Sequence, residues 1–582
     1  MKHLLKYLKD YKKETVLAPL FKMLEAIFEL IVPLLMAVII DEGIGGNNTT
    51  VIIQMGIILV LLTAVGSTSS ITAQYFSAKS AVGFATQMKS ALFSHIQKLS
   101  FTEMDEVGTS TLITRMTSDV NQVQNCVNMV LRLFLRSPFI VIGAMIMAFT
   151  IDVKSALIFV VAIPLLSIVV FGVMILCMPL YKKVQMKLDS LLQITKETLT
   201  GVRVIRAFHQ EEEEVEKFES ENANLIIIQK AAGKLSALMN PVTYLIVNTA
   251  TIFLIWTGAW QVEGGAITQG EVVALVNYMS QILVELVKLA NLIILITKGV
   301  ACGNRLQNVF EMEPSLVSGA EDIKRDFVNE SSDEMILSFK NVSLSYKNAG
   351  EESLTDISFD VMKGQTVGII GGTGSGKTSI VNLIPRFYDA TKGEVLFHGK
   401  DIREYNLDVL RERIGVVMQK SILFKGTIRE NILWGKEDAS EFEIEKALKD
   451  SQALEIVNGK DGGLDFLVSQ GGKNLSGGQR QRLNIARALV RNPEILILDD
   501  SSSALDYATD AKLRMALKEM KEDTTILMVS QRTNAIRYAD FILVVDDGHI
   551  VGKGTHDELL ENCLVYQEIY YSQFPKEEKK EA

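Results

Sequence analysis

TVGIIGGTGSGKTSIVNLI, residues 366–384, is the stretch on which the reading of this chain turns. The run TVGII (366–370) reads as a buried strand, and SIVNLI (379–384) reads as helix. Between them Gly371, Gly372, Thr373, Gly374, Ser375, Gly376, Lys377 and Thr378 spell G-x-x-x-x-G-K-[ST], in the strand-to-helix setting that gives the pattern its meaning. Glycines let backbone amides fold around phosphate oxygens, and the N-terminus of the following helix, from Ser379 onward, adds a favourable field. Lys377 is then placed to reach β and γ phosphates and Thr378 to hold Mg²⁺. A merely flexible glycine turn would not need the flanking strand and helix.

A second apolar run, EILIL (494–498), ends in Asp499 and Asp500. In phosphoryl transfer, an acid at such a strand end positions magnesium, and the acid after it can polarise attacking water. Between the two strands lies LSGGQ, in which Ser476, Gly477, Gly478 and Gln479 open the helix RQRLNIARAL, a second arrangement suited to phosphate. One nucleotide cannot easily use both loops within one small domain. The economical expectation is two such domains sandwiching ATP head to tail.

The rest of the chain has a different character. Of 582 residues, 48% are hydrophobic, and these crowd into the first half. Six segments, near 16–40, 51–73, 133–151, 155–180, 241–262 and 272–297, reach the ~20 residues that a bilayer of about 30 Å demands. The sequence therefore predicts an α-helical polytopic membrane domain over 1–320, a linker over 321–334, an α/β P-loop domain over 335–575 and a charged tail over 576–582. The apolar run after the basic N-terminal flank is too long for a signal peptide and contains Glu25 and Glu29, so it reads as a retained first span. Loops at 41–48 and 261–271 hold no Lys or Arg, whereas the polar helical stretches 78–128 and 181–239 hold many, which puts the latter, both termini and the P-loop domain on the cytoplasmic side. A net charge of −10 provides no overall basic field for nucleic acid, and Cys126, Cys177, Cys302 and Cys563 lack the paired spacing of a zinc site or disulfide framework.

Charge inside a span is costly and marks candidate function. Glu25 and Glu29 lie one turn apart on the first span, and Asn277, Gln281, Glu285 and Lys288 share one face of the sixth. Two readings stand side by side: a polar wall of a substrate cavity formed by Glu25, Glu29, Asn277, Gln281 and Glu285, or quiet internal pairing such as Glu285 with Lys288.

With the P-loop, LSGGQ, SSSALD (501–506) and six preceding spans in view, nearly the whole chain resembles an ATP-binding cassette (ABC) exporter half-transporter of the multidrug type. The resemblance implies ATP and Mg²⁺ as cofactors, with Tyr346 stacking on adenine, Gln419 sensing magnesium and water, and Asp506 contacting the opposite site. It also implies coupling helices near 101–111 and 201–208 that carry movement to the membrane.

Two departures matter. Asp500 stands where the family usually has a catalytic Glu, and Gln531, in TILMVSQR, where it usually has His. A carboxylate one methylene short misplaces water by about 1 Å, an error that can cost ~10²-fold in rate. Gln donates a hydrogen bond but cannot carry charge or shuttle a proton. Gln470, before the signature, likewise replaces an acid frequent in exporters. ATP is thus expected to bind at a degenerate site and be cleaved slowly, while the intact signature serves the active site of a second half-transporter carrying Glu and His.

The expected activity is ATP-driven export of an amphipathic drug, lipid or peptide by a heterodimer in a bacterial inner membrane. A regulatory ATP-binding subunit and a slow homodimeric exporter are the alternatives. No protease-like domain precedes the first span, which argues against a leader-cleaving peptide exporter.

Overall fold

A computed structural model describes residues 2–320, 335–347, 349–501, 505–520 and 524–574. The expected linker at 321–334, the tail at 576–582 and residues 502–504 of SSSALD lie outside the described residues. The chain divides into two compact units, Met1–Gln97 with Ser110–Met312, and Lys98–Thr109 with Glu313–Ala582.

The first unit is built from long helices: α1 Leu4–Gly45, α2 Thr49–Ile96, α4 Thr109–Ile151, α5 Val153–Thr200, α7 Glu211–Glu263 and α8 Gln269–Phe310. Two short helices fall between them in the chain, α3 Phe101–Val107 and α6 Val202–Phe208. All six long helices are apolar enough to cross a membrane. Rods of 48 residues, such as α2 and α5, are about 72 Å long at ~1.5 Å per residue, more than twice the hydrocarbon thickness of a bilayer.

Their starts are set locally. Asn48 accepts from the Thr50 and Val51 amides, Asp152 accepts from the Ser155 amide at 2.6 Å, and Thr268 with Glu271 forms a capping box. On α2, Ile53, Ile57, Val60 and Leu61 are exposed, whereas Ala73, Ser77, Ser80 and Ala81 are buried. That is the arrangement for a lipid environment, where large apolar groups gain nothing by turning inward and small ones let helices approach. A Cβ on Gly143 would lie 2.5 Å from Leu30 Cδ1, so glycine lets α1 and α4 approach there without moving the Leu30 side chain. Tyr278 Oη donates to the Leu30 carbonyl at 2.6 Å, tying α8 to α1 three residues before the helix-interior Pro33.

The second unit contains two principal sheets. β1 Met335–Leu344, β2 Leu354–Met362 and β4 Lys392–Phe397 form an antiparallel sheet in the order β2-β1-β4, extended by Lys400–Asp401. The other sheet has the order β9-β8-β3-β7-β6-β5, with β3 Thr366–Gly371, β5 Ile414–Val417, β6 Ile495–Asp499, β7 Thr525–Val529, β8 Phe541–Asp546 and β9 His549–Gly554. Only β9 runs antiparallel to its neighbour. Ile369, Val529 and Asp499 are in register, so the loops after β3, β6 and β7 emerge together at the carboxyl edge of the parallel strands, where open α/β sheets bind ligands.

α3 belongs to the second unit, although the sequence reading placed all of 1–320 in the membrane domain. The reason is side-chain docking. Phe101 packs on Phe387 with ring centroids 4.9 Å apart, Tyr388 Oη donates to Asp105 at 2.6 Å, and Lys347 pairs with Glu106 at 2.7 Å. α6 has no buried residue; Val204 and Phe208 are exposed.

Candidate functional site

The loop after β3 wraps a cavity of about 540 Å³ lined by Tyr346, Thr373, Gly374, Gly376, Lys377, Thr378, Ser379, Gln419, Asp499, Asp500 and Gln531. Gly374 and Gly376 adopt left-handed backbone with φ of 84° and 103°. The backbone of Gly376 is one that residues with a Cβ rarely adopt, and a Cβ there would also press on Leu354 Cδ2 at 2.7 Å and the Ser353 carbonyl at 3.0 Å. Gly371, Gly372 and Ser375 complete the loop. Lys377, at the start of helix α9 (Lys377–Leu383), sends its ammonium back to the Gly371 carbonyl at 3.0 Å, the Gly372 carbonyl at 2.5 Å and Ser375 Oγ at 3.3 Å.

The acids sit opposite. Thr378 Oγ1 donates to Asp499 Oδ2 at 3.1 Å, which brings a hydroxyl and a carboxylate to one point with Gln419 on the same cavity wall. Burial, and then the charge of Asp500, push the Asp499 carboxyl above its ordinary value; the Thr378 hydrogen bond and Lys377 oppose this. Burial pulls the Lys377 ammonium down, against the attraction of Asp499 and Asp500. Both shifts report charges held away from water, a setting that favours a polyanion and a divalent cation. Asp500 leaves the strand with φ of 47°, its amide donating to the Val529 carbonyl at 3.0 Å, so its backbone direction is fixed by the neighbouring strand. Tyr346 Oη lies 3.0 Å from Ser379 Oγ, and its ring meets Tyr388 edge-on at 5.0 Å.

The signature residues do not line this cavity. Ser476 caps helix α10, Gly477–Leu489, by accepting from the Gln479 amide at 3.3 Å, while Gln479 Oε1 accepts from the Ser476 amide at 3.0 Å. Ser476 and Gly477 are exposed, and Gly477 borders a separate groove of about 690 Å³ with Gln419, Gln470 and Arg480. Asp506 caps the helix Tyr507–Glu519 through the Thr509 amide at 2.9 Å and lies outside the nucleotide-type cavity.

The acidic residues of the spans meet partners across the helices. Glu25, Glu29 and Glu285 do not present free carboxylates, because Arg136, near the start of the third apolar span, stands among them. Arg136 bonds Glu285 at 2.7 Å and Glu29 at 2.6 Å, and reaches Glu25 at 3.9 Å. Glu285 also accepts from Ser137 at 2.7 Å and Lys288 at 2.8 Å, and Lys22 pairs with Glu25 at 2.5 Å. The reading of quiet pairing describes Glu285, which is only 2% exposed. Asn277 is exposed and Gln281 half-buried, its Oε1 without a partner. Arg136 and Lys22 were passed over in the sequence, although a basic residue in an apolar run is itself a signal that acids converge from other helices.

Sequence reasoning also missed Ser353, Asp547 and Gly548, which line the cavity beside the phosphate loop. Gly548 donates to the Ser375 carbonyl at 3.1 Å and accepts from the Thr355 amide at 2.9 Å, buttressing the loop. DDGH (546–549) between two apolar runs carried that hairpin signal.

The comparisons agree with this architecture. The ABC transporter transmembrane region matches residues 15–286, and the ABC transporter domain matches 354–503. The chain is 35% identical over 577 residues, covering 99% of both proteins, to YfiB, an uncharacterized ABC transporter ATP-binding protein of Bacillus subtilis. It is 33% identical over 589 residues, covering 98% of both, to YgaD of the same organism, a putative multidrug export ATP-binding/permease protein. A bacterial Atm1-family ABC exporter with ATP bound shares the fold at a TM-score of 0.78 and 23% identity, over 97% of this chain and 99% of that one.

The chain belongs to the ABC transporter family. It is a half-transporter with an exporter fold, joining a six-helix membrane domain to an ATP-binding domain of the transport ATPase class.

Proposed function

We propose that this chain is the degenerate-site half of a heterodimeric exporter that uses ATP to move amphipathic compounds out across a bacterial cell membrane. The observation that carries this reading is the company kept by Lys377: Asp500 and Gln531 share its cavity, in the places where a hydrolytic site needs a longer carboxylate and a titratable ring. Lys377 and the loop amides hold the phosphates, and Tyr346 offers its ring to adenine. Thr378, Asp499 and Gln419 present the oxygen donors that suit Mg²⁺, which when bound neutralises phosphate charge. Asp500 orients water from too far back, and Gln531 donates to the γ-phosphate without taking a proton.

The exposed N-terminus of α10 supports the second half of the reading, because Ser476 and Gly478 stand ready to close a partner's pocket. That partner carries Glu and His. The exposed apolar face of α6 is a further surface for it. The name of YgaD supports a multidrug-type cargo, and the basic residues of the long helical extensions support cytoplasmic termini and a cytoplasmic ATP-binding domain.

The test is ATPase activity and vesicle uptake for the chain alone and with a candidate partner. Alone, the chain turns over slowly; Asp500→Glu with Gln531→His raises its rate ~10- to 10²-fold. In the pair, Asp500→Asn preserves most activity and loss of the partner's Glu removes it. Full turnover by the chain alone, with Asp500→Asn silencing the pair, sinks the proposal.

A further inference from the structure

The C-terminal helix of the second unit, α12 (Leu564–Gln573), reaches the loop that carries Gln531 through a single side chain. Gln573 Nε2 donates to the Gln531 carbonyl at 2.7 Å, and Gln573 Oε1 accepts from both the amide and the hydroxyl of Thr533 at 3.0 Å each. This side-chain amide therefore answers one acceptor in the three-residue loop 530–532, which joins β7, ending at Val529, to helix α11, Thr533–Ile536, and two donors on the first residue of that helix. A glutamine suits the task because its donor and acceptor lie side by side, as in a peptide unit.

The rest of α12 fixes the height from which that side chain reaches. Tyr566 is fully buried in a cluster with Ile370, Ile536 and Val544, and its hydroxyl lies 2.7 Å from His556 Nδ1. Gln573 itself is exposed, so burial of its own side chain is not what it contributes.

We infer that Gln573 is a positioning residue for nucleotide cleavage: it clasps Gln531 to Thr533 at the start of α11 so that Gln531 is held against the γ-phosphate position. This rests on the reading that Gln531 faces that phosphate. Without the clasp, the Gln531 carbonyl and the Thr533 amide lose their side-chain partner, and the loop gains freedom on a length scale of about 1 Å, enough to matter for reaction geometry.

The test uses the full-length chain in its membrane assembly. In Gln573→Ala, hydrogen exchange at the Thr533 amide accelerates about tenfold or more, while the β7 and β8 amides keep their rates. Single-turnover cleavage at this chain's own pocket falls about tenfold at saturating ATP, with less than a twofold change in KM, the split expected when orientation rather than binding is lost. Gln573→Glu keeps the acceptor contacts to Thr533 but sets a carboxylate oxygen against the Gln531 carbonyl, so it does not rescue cleavage, which separates the donor contact from the acceptor contacts. Unchanged Thr533 exchange, or faster exchange with unchanged turnover while Gln531→Ala still slows cleavage, overturns the clasp. Failure of the underlying reading looks different: Gln531→Ala itself then leaves cleavage unaltered.

Discussion

The charged groups around Arg136 among the membrane helices and those around Lys377 at the carboxyl edge of the parallel sheet are built on opposite plans. Around Arg136, bases answer acids: Lys22 meets Glu25, Arg136 meets Glu29 and Glu285, and Lys288 meets Glu285. Around Lys377, the hydrogen bonds of the ammonium go to carbonyls and a hydroxyl of its own loop, while Asp499 is held by Thr378 and pushed toward protonation by burial and by Asp500. A closed set of charges stabilises the helices that supply it. An open set invites a ligand that brings the missing charges, here a triphosphate with its metal ion.

Exchanging the two roles experimentally would break this contrast. Arg136→Gln takes from the buried Glu285 carboxylate its closest cation, leaving it Lys288 and Ser137, and destabilises the membrane domain by about 3 kcal/mol, seen as a large fall in thermal midpoint in detergent. ATP affinity, measured on the surviving folded fraction, stays within about twofold, since a charge cluster closed on itself has little to offer the phosphates. A comparable loss of ATP affinity in Arg136→Gln would show that the two assemblies are not independent. Lys377→Ala does the reverse: binding of a fluorescent ATP analogue weakens by ~10²-fold through loss of charge-assisted hydrogen bonds, with thermal stability in the absence of nucleotide nearly unchanged.

The smallest effect sharpens the open site. Tyr346→Ala weakens ATP about tenfold by removing the stacking ring, whereas Tyr346→Phe, which loses only the contact of its hydroxyl with Ser379, changes it less than ~3-fold. Equal losses in both variants would make the hydroxyl, and not the ring, the part that matters.

The phosphate loop was legible because its signal is local: a strand, a glycine turn demanding left-handed backbone at Gly374 and Gly376, and a helix follow one another without interruption. The LSGGQ helix start was legible for the same reason, Ser476 and Gln479 capping each other three residues apart. The buttress at Gly548 and the clasp at Gln573 were not. Their partners, Ser375 and Gln531, are distant in the chain, and no spacing rule connects them.

Six apolar helices are readable from residue order alone, because the bilayer sets their length, and so is a phosphate grip, because glycine and lysine at fixed spacing have few other uses. Residue order also supplied Asp500 and Gln531, whose side chains are short or neutral wherever the chain folds. That Glu285 is closed off by Arg136, and that α3 belongs with the second unit, depends on packing between distant parts of the chain. The physical reason is range: backbone conformation answers to neighbours along the chain, whereas the pairing of buried charges answers to whichever helix arrives alongside.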